Sequence, residues 1–250
     1  MRRWLLPALL LAALLGAWQL AASSGFLAEV LGIEDFLVPS PAEIASSLWE
    51  NRSLLAENAW VTAREIFFGL LCAFAVGLGF ALAMFRWELV RHATYPLLVV
   101  TQTIPVVVLA PILLVWLGFG IGPKIVLVAL VCFFPITVAM LDGLRSADPA
   151  AIKLMRSLDA SRWQILRRVE APGALPSTFT GLRIAVVFAP IGALFGEWVG
   201  ASSGLGHLIL TDNAQLEVAR EFAAVAILSA IALLLIALVT LVERLVVTWR

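Results

Sequence analysis

The chain has 250 residues, of which 62% are hydrophobic and 14% charged, and its 17 Lys and Arg are balanced by 17 Asp and Glu. So apolar a composition excludes an ordinary soluble domain, and zero formal charge gives no electrostatic pull toward nucleic acid. The expectation is an all-α membrane protein with one transmembrane domain over residues 1–250, because no long polar stretch provides a second, soluble one.

Residues 4–22 form an apolar run of spanning length, preceded by Arg2 and Arg3. A cleaved leader is the alternative, since small residues follow at Ala21 to Ser24, but the run is long for one. The chain then turns polar. Ser40-Pro41-Ala42-Glu43 has the spacing of a capping box with proline at the first helical position, predicting an amphipathic surface helix through about Leu55. A second span is expected over residues 59–85, with Gly69, Gly77 and Gly79 allowing close approach of neighbouring helices. A short basic turn follows, from Arg86 to His92.

The third span, residues 95–117, carries Thr101, Gln102 and Thr103 and then Pro105 and Pro111. Its backbone must bend and its polar groups must find partners away from lipid. Thr101, Gln102, Thr103 and Pro105 are therefore candidates for lining a pathway, the alternative being a kinked helix packed inside the bundle. After an outer turn to Lys124, residues 125–141 make the fourth span, with Pro135 inside it.

Residues 148–176 are the one long charged segment between apolar runs. Asp148-Pro149 starts a short helix. On it Ala151, Leu154, Met155 and Leu158 fall on one apolar stripe, with Lys153, Arg156 and Ser157 off it. Asp159 breaks that helix. Ser161 and Gln164 form a second capping box, and Pro172 and Pro176 are expected to end the helix that it opens. The fifth span, residues 178–199, contains Gly181, Pro190, Gly192 and Gly196. Glu197, near its outer end, is placed at the water interface beside Trp198 in preference to a polar cavity; in the cavity it would join the pathway-lining candidates. A Gly- and Ser-rich loop and a polar stretch lead to the sixth span, residues 222–242.

Six spans put both termini on one side. With the termini, the Arg86 to His92 turn and the Arg145 to Arg183 region in the cytoplasm, all 17 Lys and Arg except Arg52, Arg64, Lys124 and Arg220 fall inside, as the positive-inside tendency requires. Cys72 and Cys132 lie in apolar runs and read as small buried hydrophobes; neither His92 nor His207 has metal-ligand spacing around it. The sequence shows no P-loop, no nucleophile with a base and no pair of carboxylates within the spans. No catalytic residue and no metal site is assigned, so the chain is read as a transport subunit rather than an enzyme.

The loop resembles that of permease subunits of bacterial ABC importers, whose signature is Glu-Ala-Ala, three residues, Gly, nine residues and Ile-x-Leu-Pro. Counting back from Pro172 sets Lys153, Leu154 and Met155 at the Glu-Ala-Ala positions, Asp159 at the Gly, and Val169 and Ala171 at the Ile and Leu. Only the proline is kept, and the role of the family's glutamate does not carry over to Lys153. RSLDASRWQILRRV nevertheless reproduces the family's wording in register.

The resemblance implies the type I importer permease fold with a cytoplasmic two-helix coupling loop, in the bacterial inner membrane. It implies two ATP-binding subunits gripping that loop, a second permease copy in a homodimer, and an extracytoplasmic solute-binding protein. Ala151 to Asp159 would enter the ATPase groove, and ATP and Mg would be bound by the partner with no cofactor in this chain. LVCFFPITV, KLMRSLDASRWQILRRVEAP and EWVGASSGLG look most like permeases for thiamine precursors such as hydroxymethylpyrimidine, within the nitrate, sulfonate and taurine branch. Import of a sulfonate, taurine, nitrate or riboflavin is the alternative. An ion-coupled secondary transporter would carry ionisable groups deep in its spans. A membrane-anchored structural protein would leave the capped loop helices without a purpose.

Overall fold

The structure, a computed structural model, describes residues 2–249, with side chains from Leu5 onward. The side chains of Arg2, Arg3 and Trp4, and all of Arg250, invoked above for the first span and the basic count, lie outside the described residues. Every regular element among the described residues is helical: α1 Arg2–Ser23, α2 Phe26–Leu31, α3 Pro41–Glu50, α4 Arg52–Arg86, α5 Glu88–Thr101, α6 Val106–Leu117, α7 Ile121–Arg145, α8 Pro149–Ser157, α9 Arg162–Ile165, α10 Ala171–Trp198, α11 Leu205–Gln215 and α12 Val218–Val246. Five helices, α9 and α10 counting as one, are long and apolar enough to cross a membrane. The bent pair α5 and α6 makes a sixth crossing if it acts as one span.

The described residues up to Val61, with Ser203–Leu228, form one compact unit. The capping box on α3 is complete: Glu43 N–H donates to the Ser40 hydroxyl and Ser40 N–H to the Glu43 carboxylate. The helix closes at Glu50, not near Leu55, and α4 begins at once, because Asn51 caps α3 through its own N–H to the Ser47 carbonyl. Trp18 of α1 stacks obliquely on Phe222 of α12, and Gln19 accepts the Ala42 N–H. Arg220 makes a forked pair with the Asp212 carboxylate at 2.7 to 3.0 Å, which neutralises one of the cations outside the basic inner regions.

The second unit comprises Thr62–Ser202 and the chain from Ser229 on. In its core α7 is packed on both sides. A Cβ on Gly69 of α4 would sit 2.4 Å from the Val128 side chain, and one on Gly192 of α10 2.8 Å from the Val128 Cα. Both helices therefore reach α7 at a distance that only a missing side chain permits, the packing mode of helices that gain nothing from hiding apolar surface in lipid. Cys132 is buried here and its thiol donates to the Ala185 carbonyl.

Two elements depart from the sequence-based expectation. The third span is two helices bent by 102°. At 14 and 12 residues neither crosses alone, since a span needs about 20. Pro105 causes the break: it has no N–H to give and adopts an extended ψ of 123°, while proline disfavours helix at the residue before it. The second departure is at Pro172 and Pro176, which do not end a helix. From Arg162 to Trp198 the chain is one continuous helical rod. Leu166–Glu170 widens into a π turn, where Ala171 N–H bonds the Leu166 carbonyl five residues back, just ahead of the proline that cannot donate.

Candidate functional site

Three places in the second unit hold the candidate functional residues. The first is the polar loop. Asp148 accepts the Ala150 N–H at 2.8 Å and Pro149 opens α8. The helix stops in a Schellman turn: Ala160 N–H bonds the Met155 carbonyl and Asp159 N–H that of Arg156, with Asp159 at φ 54°. Asp159 stands where the importer signature has glycine, and aspartate is one of the few residues that tolerates this left-handed conformation. The box of Ser161 and Gln164 is again complete and starts α9.

No residue of α8 is buried. Ala151, Ile152 and Met155 are half-covered, Lys153 is exposed, and Leu154 and Leu158 are 61% and 69% exposed. Pro172 is half-buried in the rod beyond. The loop therefore presents an apolar pair on a capped helix, tied directly to a spanning rod.

The second place is the break between α5 and α6. Thr101, Gln102, Thr103 and Pro105 are all exposed. Their polar groups serve the broken backbone: Thr101 donates to the Leu98 carbonyl, Thr103 to that of Val100, and Gln102 to the Thr101 hydroxyl. Thr101 also lines a cavity of about 450 Å³ with an otherwise largely apolar wall from α4, α5 and α7.

Sequence reasoning missed the third place. Glu197 is not at the water interface: it is 0% exposed and accepts a 2.6 Å hydrogen bond from the buried hydroxyl of Thr62. Beside it Lys124, expected in an outer turn, is 9% exposed and donates to Glu65 Oε1 at 2.7 Å. Glu65 itself is 1% exposed. Two carboxylates and one ammonium from α4, α7 and α10 are thus buried in the same part of this unit, although the sequence reading placed no ionisable group securely within the spans. Gly196 makes the approach possible, since a Cβ there would lie 3.2 Å from the Lys124 Cα. The only hint in the sequence was that each charge interrupts an apolar run; their partners lie 59 and 135 residues apart.

Residues 75–249 match the family described as binding-protein-dependent transport system inner membrane component. The chain belongs to this permease family. Over 233 residues it is 40% identical to a probable ABC transporter permease protein of Haemophilus influenzae, covering 93% of each chain. It is 37% identical over 245 residues to the formylaminopyrimidine transport permease protein ThiX of Halalkalibacterium halodurans, covering 98% of this chain and 95% of that one.

The riboflavin transport system permease protein RibX of Chloroflexus aurantiacus is 36% identical over 88% of this chain and 82% of its own. Taurine and aliphatic-sulfonate permeases match at 27%. Among solved structures, the inward-facing MetNI methionine ABC transporter superposes with a TM-score of 0.69 at 21% identity, over 79% of this chain and 98% of the other, so the type I importer permease fold is shared. The protein is a multi-pass inner-membrane permease subunit of an ABC importer. As such it is a transport subunit and not itself an enzyme.

Proposed function

We propose that this permease passes a thiamine precursor of the formylaminopyrimidine or hydroxymethylpyrimidine type from an extracytoplasmic binding protein to the cytoplasm, driven by two ATPase subunits that grip α8. The observation that carries the coupling half of this reading is the exposed pair Leu154 and Leu158 on a helix capped at both ends. Exposed leucines on a water-facing loop are a docking surface, flanked by Ala151, Lys153 and Met155 on α8 and by Asp159 in the turn that ends it. Pro172 lies in the rod through which motion of that helix reaches the spans.

Both termini lie in the cytoplasm in this reading, and two identical permease copies face each other. Nucleotide and Mg belong to the ATPases. Thr101, Gln102, Thr103 and Pro105 line the pathway at the break in the third crossing. Glu197 would join them only in a conformation that opens its enclosure.

ThiX, at 37% identity over nearly the whole chain, supports the pyrimidine cargo; RibX, at 36%, supports a riboflavin reading almost as well. Uptake of radiolabelled hydroxymethylpyrimidine, riboflavin and taurine by cells carrying the whole system separates them. Accumulation of riboflavin or taurine without the pyrimidine overturns the cargo assignment.

A further inference from the structure

Between the last turns of α4 and the first turns of the rod lies a cavity of about 800 Å³. That volume is within the range of roughly 300–1,000 Å³ usual for sites that hold a small molecule. Part of its wall is apolar, from Leu82 and Phe85 of α4 and Leu166 of the π turn. Another part is cationic, from the exposed side chains of Arg86 and Arg162. Trp87 completes that edge: it is 55% exposed, and the Arg86 guanidinium lies over its ring, 5.9 Å from the centroid.

The decisive group is Glu170. It closes the π turn, is 6% exposed and lines the same cavity. Among the described residues no N–H or O–H donor is hydrogen-bonded to its carboxylate. The ion pairs are Arg91–Glu88, Lys124–Glu65, Arg183–Glu243 and Arg220–Asp212, and none includes it, although Arg162 shares the cavity. A carboxylate can only accept, so one that is buried without a donor carries a desolvation cost that an occupant with N–H groups would remove.

These features together select the occupant. A simple anion suits the two arginines but meets like charge at Glu170. A hydrocarbon chain suits Leu82, Phe85 and Leu166 but leaves all three charged groups unsatisfied. A molecule that satisfies every part has a phosphate, its own ammonium and an apolar tail. The level in the membrane agrees: Arg86 ends the apolar run of α4 and Arg162 opens the rod, and Trp and Arg at span ends mark the headgroup region.

We propose that this cavity is a headgroup site for an aminophospholipid of the phosphatidylethanolamine class, drawn from the leaflet on the side of the 148–176 loop. Arg86 and Arg162 donate to the phosphate oxygens, a geometry that guanidinium forks favour. The lipid ammonium donates to Glu170, and the start of the acyl chains lies along Leu82, Phe85 and Leu166. The lipid thus wedges the end of α4 against the foot of the rod, next to the segment that carries α8.

The test is native mass spectrometry of the full-length permease, alone and in complex with its ATPase subunits, titrated with phosphatidylethanolamine, phosphatidylcholine and phosphatidylglycerol. The first two share phosphate, charge and chains and differ in the N–H donors. Wild type should therefore bind phosphatidylethanolamine about tenfold more tightly than phosphatidylcholine, as one hydrogen bond to a charged group allows. Glu170→Leu, which removes the acceptor, should abolish that preference, while Arg86→Gln weakens all three lipids alike. Equal binding of the ethanolamine and choline lipids by wild type, tighter binding of phosphatidylglycerol, or a preference that survives Glu170→Leu would overturn the assignment. Loss of the lipid on addition of the ATPase subunits would also overturn it, by giving the cavity to them. The wild-type comparison can be read even if a variant fails to insert.

Discussion

The two ends of the rod from Arg162 to Trp198 invert one another. Near its start α8 and α9 set leucine and tryptophan side chains in water: Leu154, Leu158 and Trp163 are all exposed. At its far end Glu197 lies among Glu65, Lys124 and Thr62, charges and a hydroxyl shut away from water. Each end places groups where their own solvation disfavours them, and each is resolved by a partner. In the proposed reading the partner at the near end is an ATPase subunit; at the far end it is within the chain. The rod between them, roughly 55 Å long at 1.5 Å per residue, links an exposed apolar surface to a buried charged joint.

The difference predicts opposite responses to substitution. The largest effect is expected at the joint. Lys124→Met leaves the buried Glu65 carboxyl without its cation and should cost about 3–5 kcal/mol, read as a loss of folded protein by detergent-solubilised thermal unfolding. A wild-type midpoint in this variant would mean that the charges are not enclosed as described.

Next comes the packing that holds the rod against α7. Gly181→Ala puts a Cβ about 2.6 Å from the Pro135 carbonyl, a backbone atom that cannot swing aside, and should destabilise by about 1–3 kcal/mol.

A smaller change of opposite sign is expected in the loop. Asp159→Gly relieves a left-handed conformation and should raise the unfolding midpoint by the equivalent of about 0.5–1 kcal/mol, whereas Asp159→Val lowers it. The smallest effect on stability separates the two ends most cleanly. Leu154→Asp exchanges an exposed side chain and should move stability by no more than about 0.5 kcal/mol, while the ATPase subunits cease to copurify with the permease. Normal copurification of ATPase with both Leu154→Asp and Met155→Asp would remove α8 from its proposed role.

The polar loop was legible in the sequence to a fine degree. The Asp148-Pro149 start, the stop at Asp159 and the Ser161-Gln164 capping box are encoded by residues within a few positions of one another, so the information is local and survives without the fold. The break at Pro105 was legible for the same reason, though not its angle, which depends on what α5 and α6 pack against. The continuity through Pro172 was not legible: the rule that proline ends a helix is also local, and the π turn that evades it borrows its support from neighbouring helices.

Composition and periodicity by themselves determined that this chain lies in a bilayer and roughly which stretches are apolar enough to cross it, because both follow from the solvent preference of short stretches. Only the tertiary structure decided where the charges in those spans go. Glu65, Lys124 and Glu197 each look like an isolated interruption of an apolar run when read alone. They come together in the interior because glycines let α4 and α10 close on α7, and pairing between residues 59 to 135 positions apart is a property of packing that no local pattern carries.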